Sequence, residues 1–344
     1  MIVFELTLIV LLVVTAVLIA LIRDPMVSVA VFAVFSLGLS VVWVWLAAPD
    51  VGLTEAAVGA GVMVVLFLIA AVRTTDEHRL PGSLNRKTVN FPALLLALVV
   101  ALPLAATVSA FPEIGDPDAP AVRSQDPAGV VAPYAAYIGE PAAEQEVPNA
   151  VAAVLTIFRS LDTLGEVVVA FAAVVGVLIV LGRTQISAVP TQSRQEGQPD
   201  PYVMSPIGMT AVRLVVPLVF IFGVYLTIQG AVQPGGGFQG GIVMGAAFVL
   251  MTLVFGHVPT AEWVDERALV WILVVGIGIM FLLVGGRPIV GAIVTPTIYP
   301  IAPIYVVDAI EIGIGMSIGA VVAALVFAMA LRTDLRGATE GDLP

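Results

Sequence analysis

Nine apolar runs dictate what this chain can fold into, and they lie roughly at residues 3–22, 26–47, 51–72, 91–111, 164–182, 209–229, 237–256, 268–286 and 305–331. Each is long enough to cross about 30 Å of hydrocarbon as a helix. A backbone in lipid finds no water for its N–H and C=O groups, so only helices and closed barrels satisfy it there. Runs of this length predict an all-α, polytopic transmembrane bundle of about nine spans. Composition agrees, with 60% apolar and 11% charged residues, against roughly 25% charged in a soluble domain. The first run begins MIVFELTL, with Glu5 and neither a positive n-region nor a small-residue cleavage site. It reads as a retained span rather than a removable signal peptide.

Loop charges orient the bundle. Arg23, the group Arg73, Arg79, Arg86 and Lys87, the pair Arg183 and Arg194, then Arg267, Arg332 and Arg336 all fall where odd spans end or even spans begin. By the positive-inside rule those ends are cytoplasmic, which puts the N-terminus outside and the C-terminus inside. Arg213 fits as an inner, snorkelling residue, whereas Arg123 and Arg287 fall on the outer side.

Two polar, breaker-rich segments, RTTDEHRLPGSLNRKTVN and GRTQISAVPTQSRQEGQPDPYVMSP, act as joints. They divide the chain into a three-span module (1–88), a two-span module (89–205) and a four-span module (206–344). The second module carries an outer loop, 112–147, with seven acids against the single Arg123. That loop is either a solvated surface or a mouth that concentrates cations.

The chain has no cysteine, and its two histidines, His78 and His257, both fall in expected cytoplasmic loops. Thiolate zinc sites and cysteine-held iron–sulfur clusters are excluded, as is bis-histidine haem inside the bundle. No GxxxxGK[ST] phosphate loop occurs. No cofactor, metal or nucleic-acid partner is expected, and the chain reads as a transporter component rather than an enzyme.

Charges inside the apolar runs are costly and mark candidate function. PDVGLTEAAVGAG places Asp50 at the mouth of the third span and Glu55 about one turn deeper, with Gly59 and Gly61 nearby. Glu55 either accepts protons or caps a neighbouring backbone. In FRSLDTLGEVVV, Arg159, Asp162 and Glu166 stand at i, i+3 and i+7. If the segment is one helix they share a face, as a charge-compensated relay continuing toward Glu55 or as an ion-paired helix start favourable to the dipole. Gly237, Gly241 and Gly245 form a four-residue ladder for close helix packing, and the N–H groups of the preceding PGGG turn could instead hold an anion. Asp308 and Glu311, one turn apart near the outer end of the last span, are a further ion-path pair.

These motifs carry a resemblance. PDVGLTEAAVGAG is similar to the signature of the MbhD-type domain, and FRSLDTLGEVVV resembles that of the MbhE-type domain, which follows it at the C-terminal end of the large Mrp antiporter subunit. PGGGFQGG with the later DAIEIGIG resembles the MnhB/MrpB subunit. The resemblance implies a subunit of a multisubunit Mrp-type Na+/H+ antiporter in a bacterial or archaeal cell membrane. Related chains serve the membrane arms of proton-reducing hydrogenase and sulfur-reducing complexes. It implies partners among large antiporter-like subunits, Na+ and H+ as transported ions, and ion transfer through Glu55, Asp162 and Glu166 beside Arg159. The MnhB-type motif usually carries a His–Asn pair before its glycine turn, where this chain has Gly230, Ala231, Val232 and Gln233. With its single lysine in a loop, the chain lacks the buried lysines of the large subunits and is expected to be an accessory part of the ion path, or else a structural spacer.

Overall fold

Helix is the only regular structure among the described residues. The computed structural model describes residues 2–22, 24–75, 91–108, 110–112, 116, 147–180, 206–255, 260, 263–264, 266–285 and 303–330. Most of both polar joints, most of the acidic loop, both histidines, Arg123 and Arg287 lie outside the described residues. The chain forms two compact units, one of Met1–Val72 with Glu146–Pro344 and one of Arg73–Gln145.

The larger unit opens with α1 (Ile2–Leu21) and α2 (Pro25–Trp45). Asp24 caps α2, its Oδ1 accepting from the Met26 and Val27 amides at 2.8 and 3.2 Å, and Pro25 supplies a preset φ at the first helical position. At the far end of α2 the Ala48 amide bonds Trp43 O and the Ala47 amide bonds Val44 O, the double closure of a Schellman turn. Ala47 sits there at φ 57°, where glycine is usual. This turn aims α3 (Pro49–Thr54) back into the bundle. The same span then widens into a π-helical stretch, Glu55–Val62, before α4 (Met63–Thr75).

The smaller unit contains α5 (Phe91–Val108), interrupted by Pro103. Its apolar stretch, Leu95–Val108, is shorter than the other spans. Eight other described helical segments are long and apolar enough to cross a membrane. Hydrogen bonds within the larger unit join Asp50 to Asn149, so the third span and the next long span begin at one end.

The chain continues through α6 (Ala150–Ala153) and a π-helical stretch, Val154–Phe158, to a break at Arg159 and then α7 (Ser160–Val180). The Thr163 hydroxyl donates to Leu155 O at 2.8 Å, satisfying a carbonyl that the break would otherwise leave unpaired. Next come α8 (Pro206–Gln229), α9 (Gly237–Phe255), α10 (Glu266–Met280) with a π-helical end, Phe281–Gly285, and α11 (Pro303–Ala330).

The core of the larger unit is α11 and α9, buried over 78% and 56% of their apolar windows, against 6% for α1. Glycine allows the approach. A Cβ at Gly241 would lie 2.8 Å from Gly315 O and 2.9 Å from Ile318 Cβ, and one at Gly245 would lie 2.6 Å from Val322 Cβ. At Gly237 it would collide with the Glu311 carbonyl. The ladder Gly237, Gly241, Gly245 thus lies along α11, where backbone contact replaces side-chain packing. On the opposite face of α9, Gly240 takes Gly223 and Thr227 of α8 equally closely.

Candidate functional site

Where α3, α6 and α9 begin, beside the third turn of α11, four buried polar side chains gather: Asp50, Asn149, Gln239 and Glu311. The PGGG turn lies among them. Gly235 and Gly236 adopt φ of 151° and 132°, which L side chains avoid, and the Gly236 amide bonds back to Leu226 O at 3.0 Å. This exposes the amides on either side. Asp50 Oδ1 accepts from the Gly235 amide at 2.8 Å, and Glu311 Oε2 accepts from the Gly237 amide. The amides of the turn are taken up by the chain's own carboxyl groups.

Asn149 joins stretches of the larger unit that are far apart in sequence. Its Nδ2 donates to Gly230 O at 2.8 Å, to Gln233 O at 3.0 Å and to Asp50 Oδ1 at 3.3 Å. Its Oδ1 caps α6 by accepting from the Val151 and Ala152 amides, and its own amide bonds Ala231 O at 3.0 Å. Gly230, Ala231 and Gln233 therefore all present backbone carbonyls to Asn149. Gln239 Nε2 reaches Asp50 O at 3.4 Å. Among the described residues Asp50, Asp308 and Glu311 form no ion pair.

Glu55 lies five residues below Asp50, in the first turn of the π-helical stretch. Its Oε1 accepts from the hydroxyl of Ser36, a fully buried residue of α2. Gly59 makes room for this pair: a Cβ there would strike Ser36 Oγ and lie 2.6 Å from Glu55 Oε1. A π-helical turn inside a span is a recurrent feature of functional sites.

The expected relay through FRSLDTLGE is corrected by the geometry. Arg159 is not in one continuous helix with Glu166, because its φ of −119° and ψ of 32° interrupt the segment. Arg159 Nε pairs with Asp162 Oδ2 at 2.6 Å, with the two side chains 67% and 56% exposed. Glu166 is exposed as well. Thr163 and Val167 are buried instead, with Leu164, Val167 and Ala170 in one apolar cluster with Val58, Val62 and Ile314. That stripe turns inward and leaves Asp162 and Glu166 exposed on the surface of the described residues.

Three members of the site, Asn149, Ser36 and Gln239, have little signal in the sequence. An Asn directly before an apolar run is a helix-cap signal, which marks Asn149 as a cap but not as a junction. A lone Ser within an apolar span carries no comparable mark.

Known proteins share both halves of this junction. Residues 10–76 match the MbhD family of MBH components, and residues 207–332 match a domain related to the MnhB subunit of Na+/H+ antiporter. Neither match reaches FRSLDTLGEVVV. A Staphylococcus aureus protein named for antiporter subunit mnhB2 is 33% identical over 127 residues, which cover 35% of this chain and 90% of the relative. An uncharacterized protein of Methanocaldococcus jannaschii is 31% identical over 131 residues, covering 36% of this chain but only 50% of its own length. Among solved structures, a chain of the Mrp complex from Dietzia sp. DQ12-45-1b shares the fold at a TM-score of 0.62 and 20% identity, over 98% of this chain and 35% of that one. The present chain thus spans half of the archaeal relative and about a third of the Dietzia chain. With an MbhD region ahead of it, and across the module that builds the glycine turn and its Glu311 partner, this multi-pass membrane protein belongs to the family of the MnhB subunit of Na+/H+ antiporters.

Proposed function

We propose that this chain is an accessory ion-translocating subunit of a multisubunit Mrp-type Na+/H+ antiporter in the cell membrane of a bacterium or archaeon. Its intramembrane carboxylates pass protons or Na+ between larger partner subunits. One observation carries the reading: Asp50, Glu55 and Glu311 are held by neutral donors, the Gly235 amide, the Ser36 hydroxyl and the Gly237 amide, with no ion pair among the described residues. A carboxylate locked to an arginine has its charge already compensated. One held only by amides and hydroxyls has no partner charge, which leaves its oxygens to an incoming cation or proton. Oxygen donors serve either ion. The π-helical widening at Glu55 and the single lysine of the chain, Lys87, fit a station on a path rather than a complete exchanger.

The reading is tested by tagging this chain in its native membrane, purifying whatever accompanies it, and reconstituting both the assembly and the chain alone. The assembly is expected to contain further antiporter subunits and to show Na+-driven proton flux, with none from the chain alone. Flux from the isolated chain, or purification without any membrane partner, would overturn it.

A further inference from the structure

Among the described residues, the charged face of α7 has no partner. Asp162, Gly165, Glu166, Val169, Ala173 and Gly176 recur on one side of the helix and are all exposed, and a Cβ at Gly165 or Gly176 would meet nothing within 4 Å. Only 17% of this apolar span is buried. Arg159 and Asp162 neutralise each other, whereas Glu166, two turns into the span, has no hydrogen bond or ion pair among the described residues. A carboxylate on the outer face of a membrane helix is costly against lipid. Small residues flanking it leave a shallow channel into which another helix backbone can settle.

We infer that this face of α7 is the docking surface for a transmembrane helix of another subunit, one that presents a basic side chain opposite Glu166. The inference rests on the proposed role as a subunit and adds the surface and the chemistry of the partner. The unpaired negative charge selects a basic group, because two buried like charges repel and a lone one stays uncompensated. The glycines and alanines select a helix over lipid, since acyl chains gain nothing from their smallness.

The test uses the assembled complex. A photo-crosslinking side chain at Val169 or Ala173 is expected to join this chain to a different membrane subunit. Complex yield is expected to be retained in Glu166→Asp, reduced a few-fold in Glu166→Gln, and reduced about tenfold or more in Glu166→Lys, where attraction becomes repulsion. Adducts to lipid only, adducts to a second copy of this chain, or full assembly of Glu166→Lys would each overturn the inference. If the unmodified chain still co-purifies with other subunits in those cases, the proposed role as a subunit stands while the docking surface falls. If it co-purifies with none, both fall.

Discussion

Asp50 and Gly235 are 185 positions apart in the chain, yet the Asp50 Oδ1 lies 2.8 Å from the Gly235 amide nitrogen. This bond joins the MbhD region to the MnhB region at the mouth of the third span, and Asn149 adds the middle of the chain to the same junction. Leaving a buried donor unpaired costs about 1–3 kcal/mol. Asp50→Ala strands the Gly235 amide, and Asn149→Ala removes three side-chain donations and a helix cap. Each is expected to lower thermal stability of the purified protein by about 1–3 kcal/mol, read as a shift in unfolding midpoint. An unchanged midpoint in both would show that the junction does not hold the modules together.

Gly241→Leu is expected to separate α9 from α11. The first added carbon already meets the Gly315 carbonyl at 2.8 Å, and that backbone has no rotamer to yield. Overpacking typically costs about 1–3 kcal/mol, and this position belongs at the upper end. Yield of folded protein is the measurement, with loss expected. Normal folding with altered cation dependence would instead give the turn above it a direct binding role.

Ala47→Gly should work in the opposite direction. Ala47 holds a left-handed conformation at φ 57°, which costs a residue with a Cβ about 1 kcal/mol relative to glycine. A rise in the unfolding midpoint is expected without change in transport, because the hydrogen bonds of the turn are all backbone. A fall would mean that the Cβ of Ala47 makes a contact worth more than the strain.

Much of this architecture was legible in the sequence because lipid imposes long uninterrupted runs. Hydropathy marks the spans, and the spacing of Gly237, Gly241 and Gly245 marks a packing face. The site was only half legible. Asp50, Glu55 and Glu311 stand out as acids in apolar sequence, but their partners are backbone amides and a single hydroxyl, and any residue supplies an amide. The outward turn of Glu166 was hidden for a different reason. Spacing sets which residues of α7 share a face, Asp162 with Glu166 or Thr163 with Val167, but not which of those faces packs inward.

The orientation of the bundle rests on the loop charges. Single cysteines introduced at Ser124 and Ser193, both outside the described residues, are expected to react from opposite sides of sealed membranes with an impermeant reagent. Ser124 is the outer position. Reaction from the same side would remove the nine-span topology.

The central claim is that neutral-donor carboxylates of this chain carry ions, and Glu55 is the sharpest place to ask. Gln has nearly the shape of Glu and can still accept from Ser36, so Glu55→Gln preserves the contact beside Gly59 while removing the exchangeable charge. The measurement is Na+-driven proton flux per assembled complex in proteoliposomes, with wild type and Glu55→Gln compared at equal subunit content. A fall of about tenfold or more is expected, equivalent to roughly 1.4 kcal/mol on the transfer step, with complex yield unchanged. Undiminished flux from an intact Glu55→Gln complex would contradict the account and leave Glu55 as a structural hydrogen-bond acceptor.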